Sequence, residues 1–246
     1  MKRIFQITVL LALLFSCKKP ENRTCWKFAG ETKTISIPVG DFTALFLKGH
    51  LSYSLVQDST DKIVITGGEN LIGHVNWTND NGLLTLENGN KCNFLRNPKN
   101  LIHVEIHCTN VANIRFEGTE PLVGLGTLKS DYFVLFIRDG AGPVTLDLES
   151  LVVNADIAHG WGEYHLSGTT KTARIAVRSN GFCSVDQLQI TDSVYVGSES
   201  QGDITLNANG IPMAGYIKAG GNIRYKGTPS SISVIKTGEG NLIPIQ

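Results

Sequence analysis

Three sets of side chains in this 246-residue chain have types and spacings that suit chemistry. His103, Glu105 and His107 alternate along a strand-like run and share one of its faces. Alternate strand residues lie ~6.6–7 Å apart, so neighbouring pairs could approach one metal ion. No third or fourth ligand is identifiable, and the other reading is a solvated face opposite Val104, Ile106 and Cys108. Asp139 and His159 each lie three residues before a glycine, Gly142 and Gly162. If those glycines mark stacked corners, Asp139 could orient His159 as a general base. No serine or cysteine nucleophile completes the set, so a surface ion pair is the expectation. Asp147 and Asp186 fall in phase with Ser167 between them. Two stacked strands apart they would sit ~10 Å from each other, without the acid clusters of polysaccharide hydrolases. Trp161 stands between Gly160 and Gly162, where a corner would project it outward to stack on a sugar or anchor a partner.

The elements that must position these residues are strands. Helical periodicity is nearly absent, and alternating runs such as Ile63–Ile65, Leu83–Leu86 and Phe133–Ile137 are punctuated by turn residues. Glycines open a repeat with apolar residues two and four positions on. Gly142 precedes Val144 and Leu146, Gly162 precedes Tyr164 and Leu166, Gly181 precedes Cys183 and Val185. Gly202 precedes Ile204 and Leu206, Gly221 precedes Ile223 and Tyr225, and Gly240 begins an imperfect last copy. Upstream, Gly49, Gly82 and Ala112 extend the pattern at wider intervals. A period of ~20 residues with one inward pair per repeat defines a solenoid, whose turns bury their faces on one another. Glycine at each corner permits positive φ or close backbone approach. The expectation is an all-β, single-domain β-helix or β-solenoid with ~20-residue rungs, lengthening to ~30 residues at the N-terminal end. The corner glycines should line one edge. Leu122–Gly126 and Ile211–Ala214 depart from the repeat and read as loops. Trp26 and Trp77 are expected to cap the end of the stack.

Residues 1–16 read as a lipoprotein signal peptide. Lys2 and Arg3 precede an apolar stretch from Ile4 to Phe15, too short for a spanning helix. Leu14-Phe15-Ser16-Cys17 resembles a lipobox, with Cys17 the lipidated residue; Phe15 departs from the small or aliphatic residue usual there. Several acyl chains on Cys17 would anchor the chain stably to a membrane. Residues 17–34 form the lipidated cysteine and tether, and residues 35–246 the β-helix domain. The expected address is the cell envelope, lipid-anchored at the outer membrane. Glu21 is the one acid near the anchor, and it names neither the periplasmic nor the outer side. The 22 basic and 22 acidic residues balance, which argues against a nucleic-acid partner; without Lys2 and Arg3 the mature chain is slightly acidic.

With Cys17 acylated, four cysteines remain in an oxidising compartment. Cys25 and Cys92 lie in polar, turn-like contexts, whereas Cys108 and Cys183 fall on the apolar phase of strands. A Cys25–Cys92 disulfide is expected, with Cys108 and Cys183 as core thiols.

Several segments carry a family likeness. They are Asp41–Gly49, Gly68-Glu69-Asn70-Leu71-Ile72, Asn90–Arg96, the tail Gly220–Pro229 and Lys236–Gly240. In this order they resemble the head GIN domain family of autotransporter adhesins, many of them bacterial lipoproteins, over about residues 35–240. The resemblance implies a β-helix-like fold and a pairing of an N-terminal cysteine with Cys92. It implies no catalytic residues and no cofactor. Three functions are carried forward from this sequence. The first is a lipid-anchored envelope lipoprotein with a non-catalytic, adhesin-like binding or structural domain. The second is a glycan-binding or carbohydrate-active β-helix using Trp161, its partner a glycan or a surface protein. The third and weakest is a metal-dependent enzyme around His103, Glu105 and His107.

Overall fold

The computed structural model describes residues 28–90 and 101–246. Cys17, Cys25, Cys92 and Trp26 therefore lie outside the described residues, as do the signal peptide and the expected disulfide. The described residues form one continuous stack of 17 strands.

The second half of the stack is regular. Strands β9 (Leu122–Arg138), β10 (Pro143–His159), β11 (Glu163–Ser179) and β12 (Phe182–Ser200) lie parallel, each on the one before. Each bends midway, so one strand supplies both faces of a rung. After β12 the bend breaks the strand in two. β13 (Ile204–Asn207) and β15 (Ile223–Lys226) continue the first face, ending in β17 (Leu242–Ile245). β14 (Pro212–Ile217) and β16 (Ser231–Lys236) continue the second. The architecture is thus a β-solenoid of ~20-residue rungs. The two segments expected as loops are strand: Leu122–Gly126 begins β9, and Pro212–Ala214 begins β14. They break the glycine-led pattern because they sit at other points of the rung, not because the chain leaves the stack.

The first half is not built in sequence order. β2 (Ala44–Gly49) and β3 (Ser52–Gln57) make an inner rung. The chain then turns outward through β4 (Lys62–Gly68), the four-residue helix α1 (Glu69–Ile72) and β5 (Val75–Asp80). It returns in β6 (Leu83–Asn88) and β7 (His103–Cys108), which stack outside β2 and β3. Only then does β8 (Asn113–Gly118) resume on the inner side of β2 and lead into β9. β4 runs antiparallel to β7 and carries β1 (Thr32–Pro38), and β5 runs antiparallel to β6. This excursion explains the wide N-terminal spacings. It also shows that the upstream pattern changes face: the pairs after Gly82 and Ala112 stack with β2 on the second face, whereas those after Gly142 and its successors line the first. Both faces have an inward pair, and alternation alone does not distinguish them.

The inward side chains form ladders. Leu45, Ile114, Leu135, Ala155, Ile175 and Val196 stand in register on one face, all buried. Tyr53, Leu122, Val144, Tyr164, Cys183, Ile204 and Ile223 do so on the other. Each fully buried Leu or Ile contributes roughly 1.5–3 kcal/mol against exposure. At the N-terminal end α1 adds buried Leu71 and Ile72, and the loop before β2 adds Val39 and Phe42. Trp77 lies on the antiparallel end strand β5 as expected, but its ring is 36% exposed and the residue of that strand that turns inward is Val75. Cys108 and Cys183 are free, buried thiols in the ladders. Burial pushes both up to about 12.

The corner glycines do line one edge. A Cβ on Gly202 would meet the Gly181 carbonyl oxygen at 2.4 Å, and one on Gly221 the Gly202 oxygen at 2.1 Å. None of Gly142, Gly162, Gly181, Gly202 and Gly221 has a positive φ. Close approach of the neighbouring rung is the reason at these five corners, whereas Gly49 and Gly82 upstream have φ of 72° and 81° and use the other.

Candidate functional site

The alternation that buries one set of side chains turns the other set outward, and the rung spacing stacks them ~4.8 Å apart. On β7 this presents His103, Glu105 and His107 between β3 and β4. His103 Nδ1 lies 3.0 Å from the Ser52 hydroxyl and Nε2 2.9 Å from that of Ser54. His107 Nδ1 lies 2.6 Å from Asp58 Oδ2, and its Nε2 lies 2.9 Å from Glu105 Oε1. Hydrogen bonds from His107, then from the Thr60 hydroxyl and N–H, hold the Asp58 carboxyl down at about 2. The row is therefore a hydrogen-bonded network in which His103 and His107 turn to different partners. No group of three metal-type ligands converges among the described residues.

Asp139 and His159 meet at one corner, Oδ1 to Nδ1 at 2.5 Å, with both side chains more than half exposed. Arg138 Nε lies 3.5 Å from the same carboxylate. This is the expected surface ion pair. Asp147 accepts from Thr127 Oγ1 at 2.6 Å and from Ser167 Oγ at 2.8 Å. A register shift after His165 sets Gln187, not Asp186, beside Ser167, so the two aspartates are out of phase. Asp186 takes Lys226 Nζ at 2.5 Å, Ser184 Oγ at 2.6 Å and Gln187 Nε2 at 3.1 Å. Lys226 first, then Ser184, lowers its carboxyl to about 2. Beside it, Gln187, Gln189, Ile190, Asn207 and Asn209 line a groove of about 300 Å³. Trp161 is 71% exposed at its corner and lines neither this groove nor the next.

The second groove, of about 330 Å³, crosses four rungs on the second face. Asn154 of β10, Thr172 and Arg174 of β11, Ser193 and Tyr195 of β12, and Pro212 of β14 line it. Asn154, Arg174 and Tyr195 are register partners, so the fold stacks them directly. Asn154 Nδ2 donates to the Tyr132 hydroxyl at 2.5 Å, adding a ring that is 51% exposed. Arg174 lies over Tyr195 with its guanidinium carbon 6.0 Å from the ring centre, and Tyr195 meets Tyr216 edge-on at 6.3 Å. The nearby charges are committed elsewhere: Arg178 to Asp156 at 2.8 Å and Lys218 to Glu199 at 3.1 Å. Burial raises the Asp156 carboxyl, and Arg178 offsets part of that. Sequence reading did not single out Tyr132, Arg174 or Tyr195. The available signal was an aromatic on the outward phase, Tyr195 lying between the inward Val194 and Val196.

Fold and surface define a β-solenoid that presents ladders of outward side chains. Residues 41–229 match the family model described as "Putative auto-transporter adhesin, head GIN domain", and the chain belongs to that family. No protein of curated function matches it. A "putative adhesin" from Bacteroides fragilis NCTC 9343 is similar in structure, with a TM-score of 0.79 and 24% identity over 87% of this chain and 97% of that one. A "putative adhesin" from Parabacteroides distasonis ATCC 8503 gives a TM-score of 0.64 at 19% identity, covering 88% and 98%. A "putative lipid binding protein" from the same organism gives 0.58 at 18%, also covering 88% and 98%. At these identities the structures show a shared fold.

Proposed function

We propose that the chain is a lipid-anchored envelope protein whose solenoid is a non-catalytic, adhesin-like binding module. The observation that carries this reading is the second-face ladder of Asn154, Arg174 and Tyr195, continuous over successive rungs and open to solvent. Such a surface holds an extended partner by repeated shallow contacts. Asp147 and Asp186, which the sequence already sets apart from a hydrolase acid cluster, are engaged by neighbours: Asp147 by two hydroxyls, Asp186 by a lysine. Anchoring rests on the Leu14–Cys17 sequence. The test expresses the full chain in a bacterium that processes lipoproteins. Wild type should partition with membranes, and Cys17→Ala should be soluble; equal partitioning of both would refute the anchor. Cells displaying the wild type should also adhere to a host-glycan-coated surface more than cells lacking the chain.

A second reading places a glycan at the corner bearing Trp161, favoured by the exposure of that indole. Loss of adhesion in Trp161→Ala, with the groove residues intact, would support it.

A further inference from the structure

We propose that the groove around Arg174 and Tyr195 binds a saccharide unit carrying a carboxylate. This rests on the reading of the chain as a binding module and names the chemistry of its ligand. Among the described residues there are five arginines. Arg115 pairs with Glu117, Arg138 with Asp139, Arg178 with Asp156 and Arg224 with Asp203. Arg174 alone has no carboxylate partner, and it is the one that lies in a groove. Its charge reaches Asp156, but that carboxylate is hydrogen-bonded to Arg178. A guanidinium presents a planar fork of donors that matches a carboxylate with two parallel hydrogen bonds.

The rest of the lining fits a sugar. Tyr195, 44% exposed, offers a ring for the apolar face of a pyranose. Asn154, Thr172 and Ser193 supply amide and hydroxyl groups that donate and accept, as a polyol requires. The volume of about 330 Å³ is at the small end of ligand sites. Arg174 is the one cation among the lining residues and matches one negative charge; Lys218 and Arg178 are already paired, which disfavours a more highly charged phosphate ester. A peptide strand is also a poor fit. The groove lies on the face of a parallel stack whose backbone groups bond rung to rung, leaving no edge for strand addition.

The test is titration calorimetry of the mature chain with a hyaluronan hexasaccharide and trigalacturonate, against neutral cellohexaose and chitohexaose. The acidic probes should bind, the neutral ones at least tenfold more weakly. Arg174→Ala should remove the preference, and Arg174→Lys should restore part of it. Tyr195→Ala should weaken acidic binding, and Tyr195→Phe should preserve it. Melting curves identify any variant that fails to fold, and the conservative pair then decides. The proposal is overturned if neither acidic probe binds, if neutral probes bind equally, or if acidic binding survives Arg174→Ala. Those outcomes leave the anchor reading intact, because membrane partitioning reads it separately.

Discussion

A Cβ placed on Gly221 would lie 2.1 Å from the carbonyl oxygen of Gly202, the corresponding corner one rung below. The same contact recurs between Gly240 and Gly221, again at 2.1 Å. Since real Cβ atoms do not approach so closely, an alanine at Gly221 must push two rungs apart along a shared edge. Gly221→Ala should cost on the order of 2–3 kcal/mol. Gly73, which has nothing within 4 Å of its Cβ position and no positive φ, is the control. Gly73→Ala should shift stability by no more than about 0.5–1 kcal/mol, and in the favourable direction. Urea unfolding of both variants checks this, and equal midpoints would contradict the steric account.

The Asp186–Lys226 pair spans two rungs, from β12 to β15 past β13, at 2.5 Å. Lys226 first, with Ser184 and Gln187 adding to it, lowers the Asp186 carboxyl from 3.8 to about 2. A carboxyl with a depressed folded pKa contributes stability that is full above its unfolded value and is lost as pH falls towards the folded one. The pair's contribution should therefore hold above about pH 4 and disappear between 4 and 2. Lys226→Met should raise the Asp186 titration midpoint towards its ordinary value and shallow the acid-unfolding profile in that window. NMR titration of the Asp186 side-chain carbon reads the first effect; an unchanged midpoint would assign the depression to Ser184 and Gln187.

These relationships were not equally legible in the sequence. The glycine edge was, because a close contact repeated at each rung leaves the same residue at intervals of 19 to 21. The N-terminal order was not. Ile63 and Ile65 of antiparallel β4 alternate just as Val104 and Ile106 of parallel β7 do, and the two strands pair with each other. Alternation reports which face is buried and is silent on direction and neighbour. The groove was missed for a related reason. Asn154, Arg174 and Tyr195 lie 20 and 21 residues apart, as regularly as the glycines, but they differ in type, so only the stack shows them as one row. His103, Glu105 and His107 were visible as a row, yet Ser52, Ser54 and Asp58, which determine what the row does, come from β3 and the turn after it.

Cys108 and Cys183 should be chemically silent in the native protein. Both are buried, and burial pushes each thiol up to about 12, so almost no thiolate exists near neutral pH. Treatment with an aromatic disulfide reagent at pH 8 should label neither until denaturant is added. Rapid native labelling of Cys183 would mean that the β11–β12 region opens. Cys183→Ala should cost roughly 1–2 kcal/mol through lost packing against its ladder neighbours Tyr164 and Ile204.

The two ends of the solenoid differ in how they are finished, and stability should differ with them. At the N-terminal end, antiparallel β4 and β5 flank the outer rung and α1 adds buried Leu71 and Ile72. At the other end, among the described residues, β16 pairs only with β14 and β17 only with β15. Ile232 and Ile235 of β16 are 48% and 69% exposed, and Val234 and Leu242 are only partly buried against the core. Local opening is easiest where few apolar contacts must be broken. In a solenoid each rung is held by its neighbours alone, so opening should proceed inward from that end. Amide hydrogen exchange should be fastest in β16 and β17, intermediate in β14 and β15, and slowest in β10 and β11. Equal protection across β10–β17 would show that the rungs open as a single cooperative unit and would refute the gradient.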